Sequence, residues 1–216
     1  MRRWLSRLEL RARSKFYIPN LMYYVVGGMA VVFLLDMIGM RASSTFYLDM
    51  GRVAQGQVWR LLTFIFLPPS NSLLWVLFSL YFYWMIGNAL ETQWGSFRFN
   101  LYYLLGILGA IIGALITGST DNTYLNMSLF LAFAALFPEF QVYVFFILPV
   151  KMKWLALFDL VLYGYSFVMG TWATRVAILF SLLNVAIFFG GDLLTSARLE
   201  IGTLRRRRNF RNNYRK

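Results

Sequence analysis

Two residue types that carry much of biological proton and redox chemistry are missing, for none of the 216 residues is histidine or cysteine. Without histidine the usual general base near neutral pH is gone. Without cysteine there are no disulfides, thiolate metal sites or thiol nucleophiles. The ionisable groups that stand inside apolar runs are the carboxylates of Asp36 and Asp159. An ionised carboxylate there costs about 2.5–3.5 kcal/mol even on insertion scales, so such groups often mark ion or proton paths. Two facing aspartates could serve a small transporter or channel subunit. Asp36 sits near the outer end of its run, which favours a structural or interfacial role; for Asp159 both roles stand evenly. No inverted repeat or pair of broken helices accompanies them, which ranks the transporter reading last.

The elements that must position these groups are membrane spans. Hydrophobic residues make up 59% of the chain and mean hydropathy is +0.59. The apolar runs recur at the ~20-residue length that a ~30 Å hydrocarbon core demands. They predict six spans, at about Leu21–Met40, Ser72–Leu90, Phe99–Gly118, Thr123–Phe137, Met152–Gly170 and Ala173–Leu194. The fourth is short, which suits a helix shielded inside a bundle. The apolar stretch Val142 to Leu148 is too short to cross and reads as an interfacial or re-entrant piece. No cofactor is implied.

The net charge of +12 is concentrated before the first span, from Arg2 to Lys15, and after the last, from Arg198 to Lys216. Residues 1–19 read as a basic amphipathic juxtamembrane segment, with Trp4, Leu5, Leu8 and Ala12 near one helical face. Residues 196–216 form a basic cytoplasmic tail. Such flanks contact anionic headgroups at about 1 kcal/mol per basic residue. Nucleic acid is not expected as a partner, because aromatic residues are not interleaved with the arginines. With both termini cytoplasmic, only Arg41, Arg52, Arg60 and Arg175 fall on the outer side, as the positive-inside rule requires. The absence of a retrieval motif or cleavable signal points to a prokaryotic plasma membrane rather than an organelle. Gly106, Gly109, Ala110, Gly113 and Ala114 put small residues on adjoining stripes of the third span, a surface for close helix packing.

Three features carry a resemblance. Trp59-Arg60 lies in the run Gly56 to Phe66 between the first two spans. Gly87-xxx-Glu91-xxx-Gly95-Ser96-xx-Phe99 closes the second span, and Gly190-Gly191 lies late in the sixth. In this order on a six-span frame, over about residues 50 to 194, they resemble the rhomboid superfamily of intramembrane serine proteases. The resemblance implies an all-α membrane protein, a six-transmembrane-helix bundle over residues 20–195 with a partly embedded first outer loop. It also implies that Trp59 and Arg60 anchor that loop and that Glu91 ties helix ends together.

Matched to active rhomboids, Ser128 in Asn126-Met127-Ser128-Leu129 takes the nucleophile's place. Asn126 and Leu129 stand where glycines would admit a reacting carbonyl. Counting from Gly190 puts Phe188 at the histidine base. Counting back from Gly87 puts Trp75 and Ser79 at the oxyanion donors, four apart on one helical face. Lys151, Lys153 and Asp192 fall toward the inner side, out of reach of Ser128. Base, glycine frame and donors are all replaced, so the reading is a derlin-like pseudoprotease that binds transmembrane helices of client proteins for quality control or trafficking. The alternative is a divergent intramembrane serine protease using Ser128.

Overall fold

The computed structural model describes residues 17–144 and 148–188. The basic termini and Gly190, Gly191 and Asp192, for which the sequence raised expectations, lie outside these residues. Helix α1, Leu21–Met37, leads into an excursion that holds α2 (Ala42–Phe46), β1 (Leu48–Asp49), α3 (Met50–Ala54), α4 (Arg60–Thr63) and a 3-10 turn at Phe64–Phe66. Then come α5 (Leu73–Trp94), α6 (Ser96–Thr117), β2 (Ser119–Thr120) and α7 (Thr123–Leu136). A hairpin of β3 (Gln141–Val144) and β4 (Leu148–Lys151) precedes α8 (Met152–Met169) and α9 (Trp172–Phe188).

By length and composition, α5, α6 and α8 can each cross a membrane; α1, α7 and α9 are shorter apolar helices. The packing explains the differences among them. Eight of the 14 residues of α7 are buried, whereas α8 buries only Met152, Asp159 and Tyr163 of its 18. Helix α7 is thus the centre, packed against α5, α6 and α8. The core runs from Met22, Val25 and Met29 on α1 through Val76 and Leu90 on α5 to Leu129 and Phe133 on α7.

Two close approaches fix the frame. At Gly87 on α5 a β-carbon would run into the Met22 side chain, so only glycine lets α1 and α5 meet there. Gly95 joins α5 to α6 at φ 80° and ψ 153°, a region essentially closed to other residues. That sharp turn brings Ser96 back onto Glu91, whose Oε1 accepts from Ser96 Oγ at 2.6 Å and from the Asn20 N–H at 2.7 Å. One carboxylate therefore holds the start of α1, the end of α5 and the start of α6.

The excursion after α1 is tied down by polar bonds. Arg60, only 2% exposed, donates to the carbonyls of Ser44 and Tyr47 at 3.1 and 2.6 Å and to Gln57 Oε1 at 2.7 Å. Antiparallel pairing of β1 with β2 (Leu48 with Thr120, Asp49 with Ser119) joins it to the α6–α7 junction. Asn122 completes the tie, donating from Nδ2 to the carbonyls of Ile65 and Leu67. Asp36 accepts from the N–H and hydroxyl of Ser43, capping α2.

Candidate cleft around Ser128

A narrow cleft, with room for little more than a water molecule, lies between α6, α7 and α9. It starts at Asp121 and Thr117 beside the α6–α7 junction and reaches Ser128 and Asn184. The glycine stripe of α6 forms one wall. Gly109 and Gly113 lie opposite the Phe180 ring, and Gly106 opposite Leu125 and Asn184. The stripe therefore admits side chains from α7 and α9, where the sequence suggested a neighbouring backbone. Ala110 shares the wall and Ala114 is buried beyond it.

Ser128 is 1% exposed, and its Oγ donates to the carbonyl of Leu125 in its own helix at 2.7 Å. Its backbone carbonyl accepts from Tyr102 Oη at 2.9 Å, fastening α7 to α6. Across the cleft, Ser181 donates to the Tyr124 carbonyl at 2.9 Å and Asn184 Nδ2 to the Tyr102 carbonyl at 3.3 Å. Asn184 Oδ1 is buried without a partner among the described residues.

Of the four positions singled out from the sequence, only Ser128 lines this cleft. Phe188 turns elsewhere, its ring stacked 6.0 Å from Trp94 and edge-on 5.0 Å from Tyr102. The α9 residues that line the Ser128 cleft include Asn184, one helical turn earlier, and Ser181. Trp75 is 48% exposed on α5, and Ser79 one turn on is half-buried; neither reaches the cleft. Asn126 is 2% exposed and both ends of its amide lack a partner among the described residues. The sequence reading passed over Asn184 and Ser181. Their signal was present as polar side chains inside an apolar run, which carry a functional presumption of their own.

Chemically, the cleft offers amide and hydroxyl groups. The acid nearest Ser128 in the chain is Asp121 at the mouth. Seven residues separate them, about 10 Å at the ~1.5 Å helical rise, too far for a proton to pass directly. Asp159 lies on α8 and does not line the cleft. Among the described residues no group of three acidic side chains gathers to hold a metal ion.

Comparison with known protein families fits this frame: the model of the Rhomboid domain matches residues 55–190. The chain belongs to the rhomboid family. No curated protein matches the chain. The rhomboid domain so delimited contains Trp59 and Arg60, the Gly87–Glu91–Gly95 turn and the whole Ser128 cleft. Rhomboids include both active proteases and inactive relatives, so the reading of this rhomboid falls to its residues.

At the other end of α7, Glu139 receives Lys151 Nζ at 2.7 Å and Lys153 Nζ at 2.5 Å. Hydrogen bonds from these two ammonium groups hold its carboxyl down to about 2. The triad closes the base of the β3–β4 hairpin, where Met152 N–H donates to the Phe140 carbonyl and Lys153 N–H to the Pro138 carbonyl.

Proposed function

We propose that this rhomboid is catalytically inactive and binds transmembrane segments of client proteins, for quality control or trafficking. The observation that carries the reading is the Ser128–Leu125 hydrogen bond facing an amide. The hydroxyl proton is given to a backbone carbonyl, and the polar α9 groups that line the cleft, Asn184 and Ser181, are no bases near neutral pH. Leu129 and Asn126 add bulk on either side of the serine where close approach to a carbonyl needs its absence.

In this reading six helices cross the membrane, the excursion around Trp59 and Arg60 is partly embedded, and the basic termini lie on the cytoplasmic leaflet. A client helix approaches between α5 and α8. Support comes from the sparse burial of α8 and from the exposure of Leu74, Leu77 and Tyr81 along one side of α5. Unstable, polar client segments are favoured because Asn126 keeps a buried amide with both ends unpartnered, which lipid cannot satisfy. The competing reading, a divergent serine protease, draws on the fact that Ser128 lines a cleft rather than a closed interface.

Photocrosslinking and active-site labelling separate the two. A photoreactive residue at Trp75, in native membranes, is expected to capture transmembrane segments of other proteins. A fluorophosphonate is expected to leave the protein unlabelled. Labelling or substrate cleavage abolished by Ser128→Ala would overturn the reading.

A further inference from the structure

Asp159 is the only acid in α8, the eighth of its 18 residues, 8% exposed and with Oδ2 unpartnered among the described residues. An intramembrane carboxylate normally pairs with a basic side chain or a hydrogen-bond donor. Here the candidates are taken. Among the six apolar helices, lysine and arginine occur only in a first turn, at Arg98, Lys153 and Arg175. Lys153 donates to Glu139, and Arg175 donates to the carbonyls of Phe167 and Val168 at the end of α8. The Tyr163 hydroxyl, one turn from Asp159, is engaged with Ser181.

The position of Asp159 around α8 tells where a partner could come from. At about 100° per residue, Leu155 and Tyr163 stand about 40° to either side of it. Leu155 packs on the main core cluster, and Tyr163 belongs to the smaller cluster with Leu131 of α7 and Ile178 of α9. Asp159 thus marks the border between the two. On the Leu155 side the same stripe continues through Leu162, 42% exposed, and half-buried Ser166. Leu155, Asp159, Leu162 and Ser166 follow the alternating four- and three-residue spacing of a helix-packing seam. A single polar residue in such a seam selects the partner at a cost in stability. A second copy of this chain laid on the seam would bring another carboxylate and no countercharge.

We propose that the helix laid along this seam is a client segment carrying a lysine or arginine near mid-membrane, with Asp159 as its counter-ion. This rests on the client-binding reading and names the chemistry it selects. A basic side chain is as costly in lipid as the carboxylate is, so pairing relieves both at once. A client with only apolar residues gains nothing from Asp159. A neutral polar client gains one hydrogen bond without the charge.

Crosslinking in a defined bilayer tests it. The full chain with a photoreactive residue in place of Leu162 is reconstituted in phosphatidylcholine vesicles, which offer no anionic headgroup to compete for a lysine. Leu-rich transmembrane peptides of about twenty residues are added, with lysine, glutamine or leucine at the centre. The lysine peptide is expected to be captured about tenfold more than the leucine peptide, the factor of one hydrogen bond to a charged group, and more than the glutamine peptide. Asp159→Asn is expected to erase the preference for lysine over glutamine while leaving the leucine peptide unchanged. The wild-type comparison needs no variant to fold, and the ratio of two peptides in one variant is insensitive to how much of it folds. Equal capture of the lysine and leucine peptides overturns the pairing, as does equal capture of lysine and glutamine or a preference that survives in Asp159→Asn. Capture of none of the three at Leu162 overturns it as well, whereas the client reading itself is judged by crosslinking from Trp75 in native membranes.

Discussion

Glu91 Oε1 lies 2.7 Å from the backbone nitrogen of Asn20, seventy-one residues away, and draws the start of α1 onto the end of α5. The same oxygen accepts from Ser96 on α6, so the carboxylate is a three-helix clasp. Glu91 is 7% exposed. Hydrogen bonds to an ionised group in such a setting contribute about 1.5–3 kcal/mol each. Glu91→Ala is expected to lower the thermal midpoint in detergent, with Glu91→Gln recovering part of the loss because an acceptor oxygen remains. Equal midpoints for the wild type and the alanine variant would remove the clasp from the list of forces that hold the bundle.

Gly87 and Met22 test the close approach of α1 and α5. A methyl at Gly87 collides with Met22, and overpacking of this kind costs about 1–3 kcal/mol. Met22→Ala alone opens a cavity in the core at about 2–5 kcal/mol. Combined, the added methyl occupies room the methionine has left. Gly87→Ala with Met22→Ala should therefore be less damaging than the sum of the two, by about 1 kcal/mol or more. Strict additivity in a double-mutant cycle would show that the helices separate elsewhere to absorb the methyl.

Much of this arrangement could be read from residue types and spacing. Long apolar runs disclosed α5, α6 and α8, and the Gly87, Glu91 and Gly95 spacing disclosed the turn that seats the clasp. The cleft was harder. Counting from Gly190 gave Phe188 a place in the family pattern, and such a count does not say which flank of a helix meets a given neighbour. That depends on rotation, and here Tyr102 and Trp94 draw the Phe188 ring aside and leave Asn184 toward Ser128. The hydrogen-bond direction of each hydroxyl was equally hidden, since serine donates or accepts according to the carbonyl it finds. The β3–β4 pairing (Gln141 with Lys151, Tyr143 with Pro149) joins residues that read only as a short apolar stretch in the chain.

The hairpin base gives a pH dependence with a definite sign. Lys151 and Lys153 hold the folded Glu139 carboxyl at about 2, below its ordinary value of 4.5. A depressed folded value means that the triad's contribution is fully present above the unfolded value. It fades as pH falls through the interval from about 4.5 to about 2. Carbon NMR of the Glu139 carboxyl should show a midpoint near the lower end, and amide exchange in β3 and β4 should accelerate across the same interval. Glu139→Gln should make that exchange independent of pH there. A Glu139 midpoint at the ordinary value would dissolve the triad.

Asp159 sits mid-way along α8, 8% exposed, with Oδ2 unpartnered among the described residues. Tyr163, one turn on, donates to or accepts from Ser181 and stacks on Tyr124, so the polar neighbours of the carboxylate are already engaged with each other. The carboxylate lacks the compensation that normally accompanies burial. A leucine has the same branched heavy-atom skeleton and nothing to desolvate, and replacing buried charge by a packed apolar group is often neutral or stabilising. Asp159→Leu is accordingly expected to raise the thermal midpoint. A fall instead would mean that the carboxylate holds a partner in the membrane that leucine cannot, and capture of client segments by the variant would then show whether that partner is the client.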